Sequence, residues 1–123
     1  MQQKYFFLLG IIVLFIIVVV FLIFPKIISE NEPKWVKNLI TNEIDGPVAN
    51  PPASLSKCVY KNEIVYYLPP RCCDIFSVLY DKQGEVICAP DGGITGDGDG
   101  RCSDFFEERK NCEVIWKDSR SYS

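Results

Sequence analysis

The chain opens with an apolar run, Tyr5 to Phe24, that carries no charge. At about 1.5 Å of rise per residue, a helix of that length spans about 30 Å, the thickness of a bilayer's hydrocarbon core. In lipid the backbone must satisfy its own hydrogen bonds, so the pattern predicts a transmembrane helix over 5–24. Residues 1–4 then form a short cytoplasmic terminus and 25–32 a linker. The rival is a cleaved secretory signal, whose apolar region is shorter and ends in small residues. Here Pro25-Lys26 follow the run, and the best cleavage position is after Ser29 with Ile27 upstream. A retained signal-anchor fits better than secretion after cleavage near Ser29.

Beyond the anchor the pattern changes to helical spacing. Asn31-Glu32-Pro33 reads as a helix start, Trp35, Val36, Leu39, Ile40 and Ile44 recur on one face, and Asp45-Gly46-Pro47 ends it. Pro47 to Pro52 is a rigid connector. Two alternating runs follow, Cys58 to Tyr60 and Ile64 to Leu68, joined by Lys61-Asn62 as a hairpin. A second pair is Ile75 to Tyr80 and Glu85 to Cys88, joined through Asp81 to Gly84, where Gly84 suits a left-handed turn position. Residues 90–100 hold five glycines and three aspartates and are expected to be irregular. Ser103 is placed to cap a short helix, Asp104 to Lys110, and Cys112 to Trp116 reads as a last strand. The fold class is therefore α+β. An N-terminal transmembrane helix precedes a small, disulfide-stapled antiparallel sheet of four or five strands with one or two packed helices. That domain spans 33–120, with a tail at 121–123.

Aromatic positions within these elements, Trp35, Tyr66, Tyr67, Tyr80, Phe105 and Trp116, are read as core. In a regular strand one ring of Tyr66-Tyr67 faces outward, which makes it a candidate contact residue.

Composition and charge narrow the chemistry. The chain has 123 residues, 13 basic against 16 acidic side chains, six cysteines and no histidine. A net charge of −3 offers nothing to neutralise a phosphate backbone, so no nucleic-acid partner is expected. Without histidine there is no Ser–His–Asp or Cys–His triad and no near-neutral imidazole base. No catalytic constellation remains, and the protein is expected not to be an enzyme.

The six cysteines, Cys58, Cys72, Cys73, Cys88, Cys102 and Cys112, all follow the anchor. An even, dense set in a small domain fits an oxidising compartment. Lys4 on one side of the span and Lys26, Lys34 and Lys37 on the other do not decide orientation by charge. The cysteines place the domain outside the cytoplasm. Fifteen pairings are open to six cysteines. Neighbours bond each other only through a strained ring, so Cys72 and Cys73 are expected to pair with Cys88 and Cys102, and Cys58 with Cys112. A vicinal thiol–disulfide switch is the redox alternative, lacking a Cys-x-x-Cys motif. A cysteine zinc site lacks paired knuckles.

The sharpest chemical candidate is the Asp/Gly stretch. Asp91, Asp97, Asp99 and Asp104 are candidate calcium ligands, since hard cations take several oxygens from a tightly curved backbone. Counted from Asp97, an EF-hand loop would need glycine where Cys102 stands, so any such site is not an EF-hand. The plainer assignment is a glycine-supported loop whose aspartates cap turns. Three carboxylates without a lysine disfavour phosphate, and under a hundred exported residues leave little room for a carboxylate-pair hydrolase.

Cys72-Cys73-Asp74, Leu79-Tyr80-Asp81, Gly84, Ile87-Cys88, Pro90 to Gly96, Gly98-Asp99-Gly100, Cys102 and Asp104-Phe105 resemble a motif set of small exported bacterial proteins carrying a domain of unknown function. Ile115-Trp116, Asp118 and Arg120 fit the end of that domain, so the resemblance covers roughly 33–120. It implies an extracytoplasmic, cysteine-bearing module with no assigned reaction. The long anchor and the extra pair Cys58 and Cys112 depart from the pattern. Taken together, the expectation is a bilayer-anchored, non-enzymatic module that meets a protein or envelope ligand and needs no cofactor. A calcium-dependent binding module, a thiol–disulfide oxidoreductase and a small protease inhibitor presenting the 47–52 loop are the other hypotheses.

Overall fold

A computed structural model describes residues 2–30 and 32–120, with the side chains of 21–30 left aside. Met1, Asn31 and the expected tail at 121–123 lie outside the described residues. The chain forms two units, Met1–Glu32 and Pro33–Ser123.

The first unit is one helix, α1 (Gln2–Glu30). Its Gln2–Val20 stretch is long and apolar enough to cross a membrane, and none of that apolar window is buried. The expected linker at 25–32 is helical as far as Glu30. Pro25 removes one backbone donor but does not end the element.

The second unit is built on α2 (Lys34–Asp45), β1 (Ser54–Tyr60), β2 (Glu63–Leu68), β3 (Val78–Asp81), β4 (Val86–Cys88), α3 (Phe105–Glu108) and β5 (Lys110–Lys117). All five strands join one antiparallel sheet in the order β4-β3-β2-β1-β5. The first four form a meander and β5 returns beside β1. Lys61 and Asn62 both take positive φ, 49° and 65°, which makes the two-residue turn whose twist matches a hairpin. In β5, Asn111 at φ 51° marks a bulge against β1, and the bulge brings Cys112 opposite Cys58. β3 begins at Val78 rather than Ile75, because residues 75–77 bond instead to the Asp/Gly loop.

The centre of the sheet is covered on both faces. On one, Val36 of α2 packs on Leu55 and Tyr66, with Trp35, Leu39 and Trp116 around them. Trp35 meets Tyr66 edge-to-face at 5.0 Å, and its indole N–H donates to the Lys82 carbonyl at 3.0 Å. α2 starts after Pro33 and stops at Gly46, as its sequence pattern predicts. Its C-terminal carbonyls are held by a distant cation: Arg120 donates to Glu43 O and Gly46 O, both at 3.0 Å. The Asp118 carboxylate accepts from the same guanidinium and holds it in place. That pairing keeps Asp118 below the usual carboxylate range.

On the opposite face, Cys58, Tyr60, Val65, Tyr67, Leu79 and Cys88 pack with Cys102 and Phe105. Here lies a correction to the strand pattern. Tyr66 and Tyr67 are both buried, at 2% and 7% exposure, so neither ring is an outward contact residue. Alternation still points them to opposite faces, but neither face is left to solvent.

Candidate functional site

The cover on the second face is mostly irregular chain, from Ala89 to Asp104, and it holds every sequence-singled carboxylate. Its shape comes from backbone bonds that glycine permits. Gly98 N–H donates to Gly92 O at 3.1 Å, and Asp99 N–H to Ala89 O at 2.9 Å. Gly98 sits at φ 69°, and a Cβ there would collide with the Ala89 carbonyl. Gly92, at φ 84°, lies so close to the Ile75 carbonyl that no side chain fits.

Asp91 ties this loop to the sheet. Ser77 is 1% exposed, and its amide and hydroxyl both donate to Asp91 O at 3.0 Å, while Asp91 N–H returns a bond to Ser77 Oγ at 3.1 Å. The Tyr67 hydroxyl donates to Asp91 Oδ1 at 2.8 Å. Burial, reinforced by that carboxylate, pushes the Tyr67 phenol well above its ordinary range, so it stays protonated. Asp99 is occupied differently. It accepts from the Arg101 amide at 3.0 Å and pairs with the Arg101 guanidinium, which lowers its pKa. Asp104 accepts from the Tyr60 hydroxyl at 2.5 Å and from Lys61 at 3.0 Å, and those bonds hold it below the usual range. Asp97 is exposed, with its amide on Thr95 Oγ1 at 3.4 Å.

The four candidate calcium ligands are therefore not brought together. Among the described residues no three His, Cys, Asp or Glu side chains converge on a point that a metal ion would occupy. Each of Asp91, Asp99 and Asp104 has its own protein partner. The partners Ser77, Tyr60 and Tyr67 carry no local sequence signal, because each lies at least 14 residues from the aspartate it meets. Asp104 also explains a second correction. The helix expected over 104–110 with Ser103 as its cap is a single turn, Phe105–Glu108, and the side chain at its start turns away to Tyr60 and Lys61 instead of capping it.

All six cysteines are paired, but not as expected. Cys58–Cys112 joins β1 to β5, as the sequence suggested. Cys88 bonds Cys102, and Cys72 bonds its neighbour Cys73. Cys88 and Cys102 are both buried on the loop-covered face, in one cluster around Phe105, which leaves the surface turn at 72–73 no partner but itself. Chain-closure entropy for separations of 54 and 14 residues gives about 4 and about 3 kcal/mol for the first two bonds. Beside α3, Phe106, Arg109, Cys112 and Val114 line a shallow groove of about 360 Å³.

Residues 42–118 match a family described as a domain of unknown function, DUF6970. The chain belongs to this family. The matched stretch begins in the last turn of α2 and ends at Asp118, so the DUF6970 domain contains the whole sheet, the Asp/Gly loop and all three disulfides. No curated protein and no solved structure matches the chain.

Proposed function

We propose that this DUF6970 protein is a single-pass, membrane-anchored module. Its N-terminus is cytoplasmic, its stapled domain lies on the extracytoplasmic side, and its role is binding or envelope structure rather than catalysis. The observation that carries this is the pairing of all six cysteines in a domain that follows an apolar helix. Thiols persist as disulfides in oxidising compartments, and a small core gains most from such staples. A non-enzymatic role is supported by the missing histidine and by the ties of Asp91, Asp99 and Asp104 to Tyr67, Arg101 and Tyr60.

The test is topological. In intact cells producing the full chain, an added protease should digest the domain while a cytoplasmic marker survives. Non-reduced mass spectrometry of the purified chain should show three disulfides. A domain that resists protease until the membrane is broken, with thiols already open to alkylation, overturns the proposal.

A further inference from the structure

The three disulfides differ in what surrounds them. Cys58, Cys88 and Cys102 are 2%, 1% and 3% exposed, inside the core. Cys72 and Cys73 are both at the surface, in a segment between β2 and β3 that belongs to no strand or helix. A cross-link stabilises a fold by closing a loop of the unfolded chain. One between neighbours joins no two elements, so the Cys72–Cys73 bond closes no loop of the unfolded chain.

We infer that Cys72–Cys73 is a thiol–disulfide exchange site for dithiols, and that its redox state controls the order of the Asp/Gly loop. In the exchange, a thiolate of the dithiol attacks Sγ of either cysteine. A mixed disulfide forms, and the neighbouring sulfur leaves as a thiolate that takes a proton from water. The second thiol of the reagent then closes its own disulfide and releases the remaining cysteine. Two electrons and two protons pass from the dithiol to the pair. The dithiol is oxidised and Cys72 and Cys73 become thiols.

The other two bonds resist this chemistry. At Cys58–Cys112, Cys112 is exposed, but attack there must expel the Cys58 thiolate into an apolar core. A desolvated thiolate is a poor leaving group. At Cys88–Cys102 neither sulfur is open to a reagent. At Cys72–Cys73 either sulfur leaves into water.

The link to the loop is a short run of bonds. Cys73 holds φ 51°, a left-handed conformation disfavoured for a side chain with Cβ. The Ile75 amide donates to Cys72 O at 3.1 Å, and the Ile75 carbonyl accepts from Gly93 N–H at 3.2 Å. Phe76 bridges to Gly92, and Ser77 N–H donates to Asp91 O at 3.0 Å. Once the disulfide no longer holds Cys73, that residue moves to negative φ, and the 75–77 backbone that anchors Asp91 to Gly93 moves with it.

The experiment treats the purified full chain in detergent with limiting dithiothreitol, alkylates it and maps the modified cysteines. Cys72 and Cys73 should be labelled about tenfold faster than the other four. Amide hydrogen exchange at 91–98 should then rise while β1 and β2 stay protected, and the Cys72→Ser, Cys73→Ser double variant should show the same exchange without reductant. Earlier or simultaneous opening of either other disulfide overturns the inference. So does a loop whose exchange is unchanged after selective reduction of 72–73. These readouts do not depend on which side of a membrane the domain occupies, so they fail independently of the topology proposed above.

Discussion

The two faces of the sheet are covered by opposite means. On one, α2 lays an amphipathic stripe over Leu55 and Tyr66, and the cover is held by packing and a helix-end clamp from Arg120. On the other, irregular chain and a single helical turn do the same work, held by the Cys88–Cys102 bond, the Asp91–Ser77 and Asp91–Tyr67 hydrogen bonds, and one fully buried ring, Phe105. A regular helix satisfies its own backbone, so it needs only an apolar face. A loop must place each polar group separately. That is why the loop face gathers the glycines, a disulfide and the paired aspartates.

Three substitutions break or sharpen this contrast. Phe105→Ala removes the ring around which Tyr60 and Tyr67 are packed, and should lower unfolding free energy by about 4 kcal/mol in denaturant titration. The double substitution Cys88→Ser, Cys102→Ser should cost about 3 kcal/mol. Its tryptophan emission in water should remain native, since Trp35 and Trp116 both report the α2 face. Tyr67→Phe leaves the Asp91 carboxylate short of a donor and should cost about 1 kcal/mol, read from the denaturant midpoint.

The smallest effect is acid sensitivity. Asp99, Asp104 and Asp118 all have lowered folded-state pKa values, caused respectively by Arg101, by Tyr60 with Lys61, and by Arg120. A lowered carboxylate contributes stability that is present above its unfolded value, about 3.9, and is lost as pH falls through the folded one. Melting temperature should therefore hold at neutral pH and decline below about pH 4. Asp104→Asn and Asp118→Asn should each flatten that decline, because each removes one carboxylate whose folded-state pKa is lowered. Added millimolar calcium should leave the melting temperature unchanged, because Asp91, Asp99 and Asp104 are engaged by Tyr67, by Arg101, and by Tyr60 with Lys61.

The amino-acid order alone determined most of the elements, though not all of their ends, because their causes are local. Lys61-Asn62 dictates a hairpin by turn chemistry, Gly46-Pro47 stops α2, and the uncharged run from Tyr5 sets a helix long enough for a bilayer. The six chemically conspicuous cysteines and four aspartates were visible too, but not their partners. Only the tertiary structure decided that Cys88 meets Cys102, that Cys72 is left with Cys73, that Tyr66 and Tyr67 are both covered, and that Asp91 and Asp104 find donors in Tyr67 and Tyr60. The reason is physical. Periodicity and turn preference act over a few residues, whereas a disulfide or a buried hydrogen bond depends on which distant segments the packed sheet brings within reach.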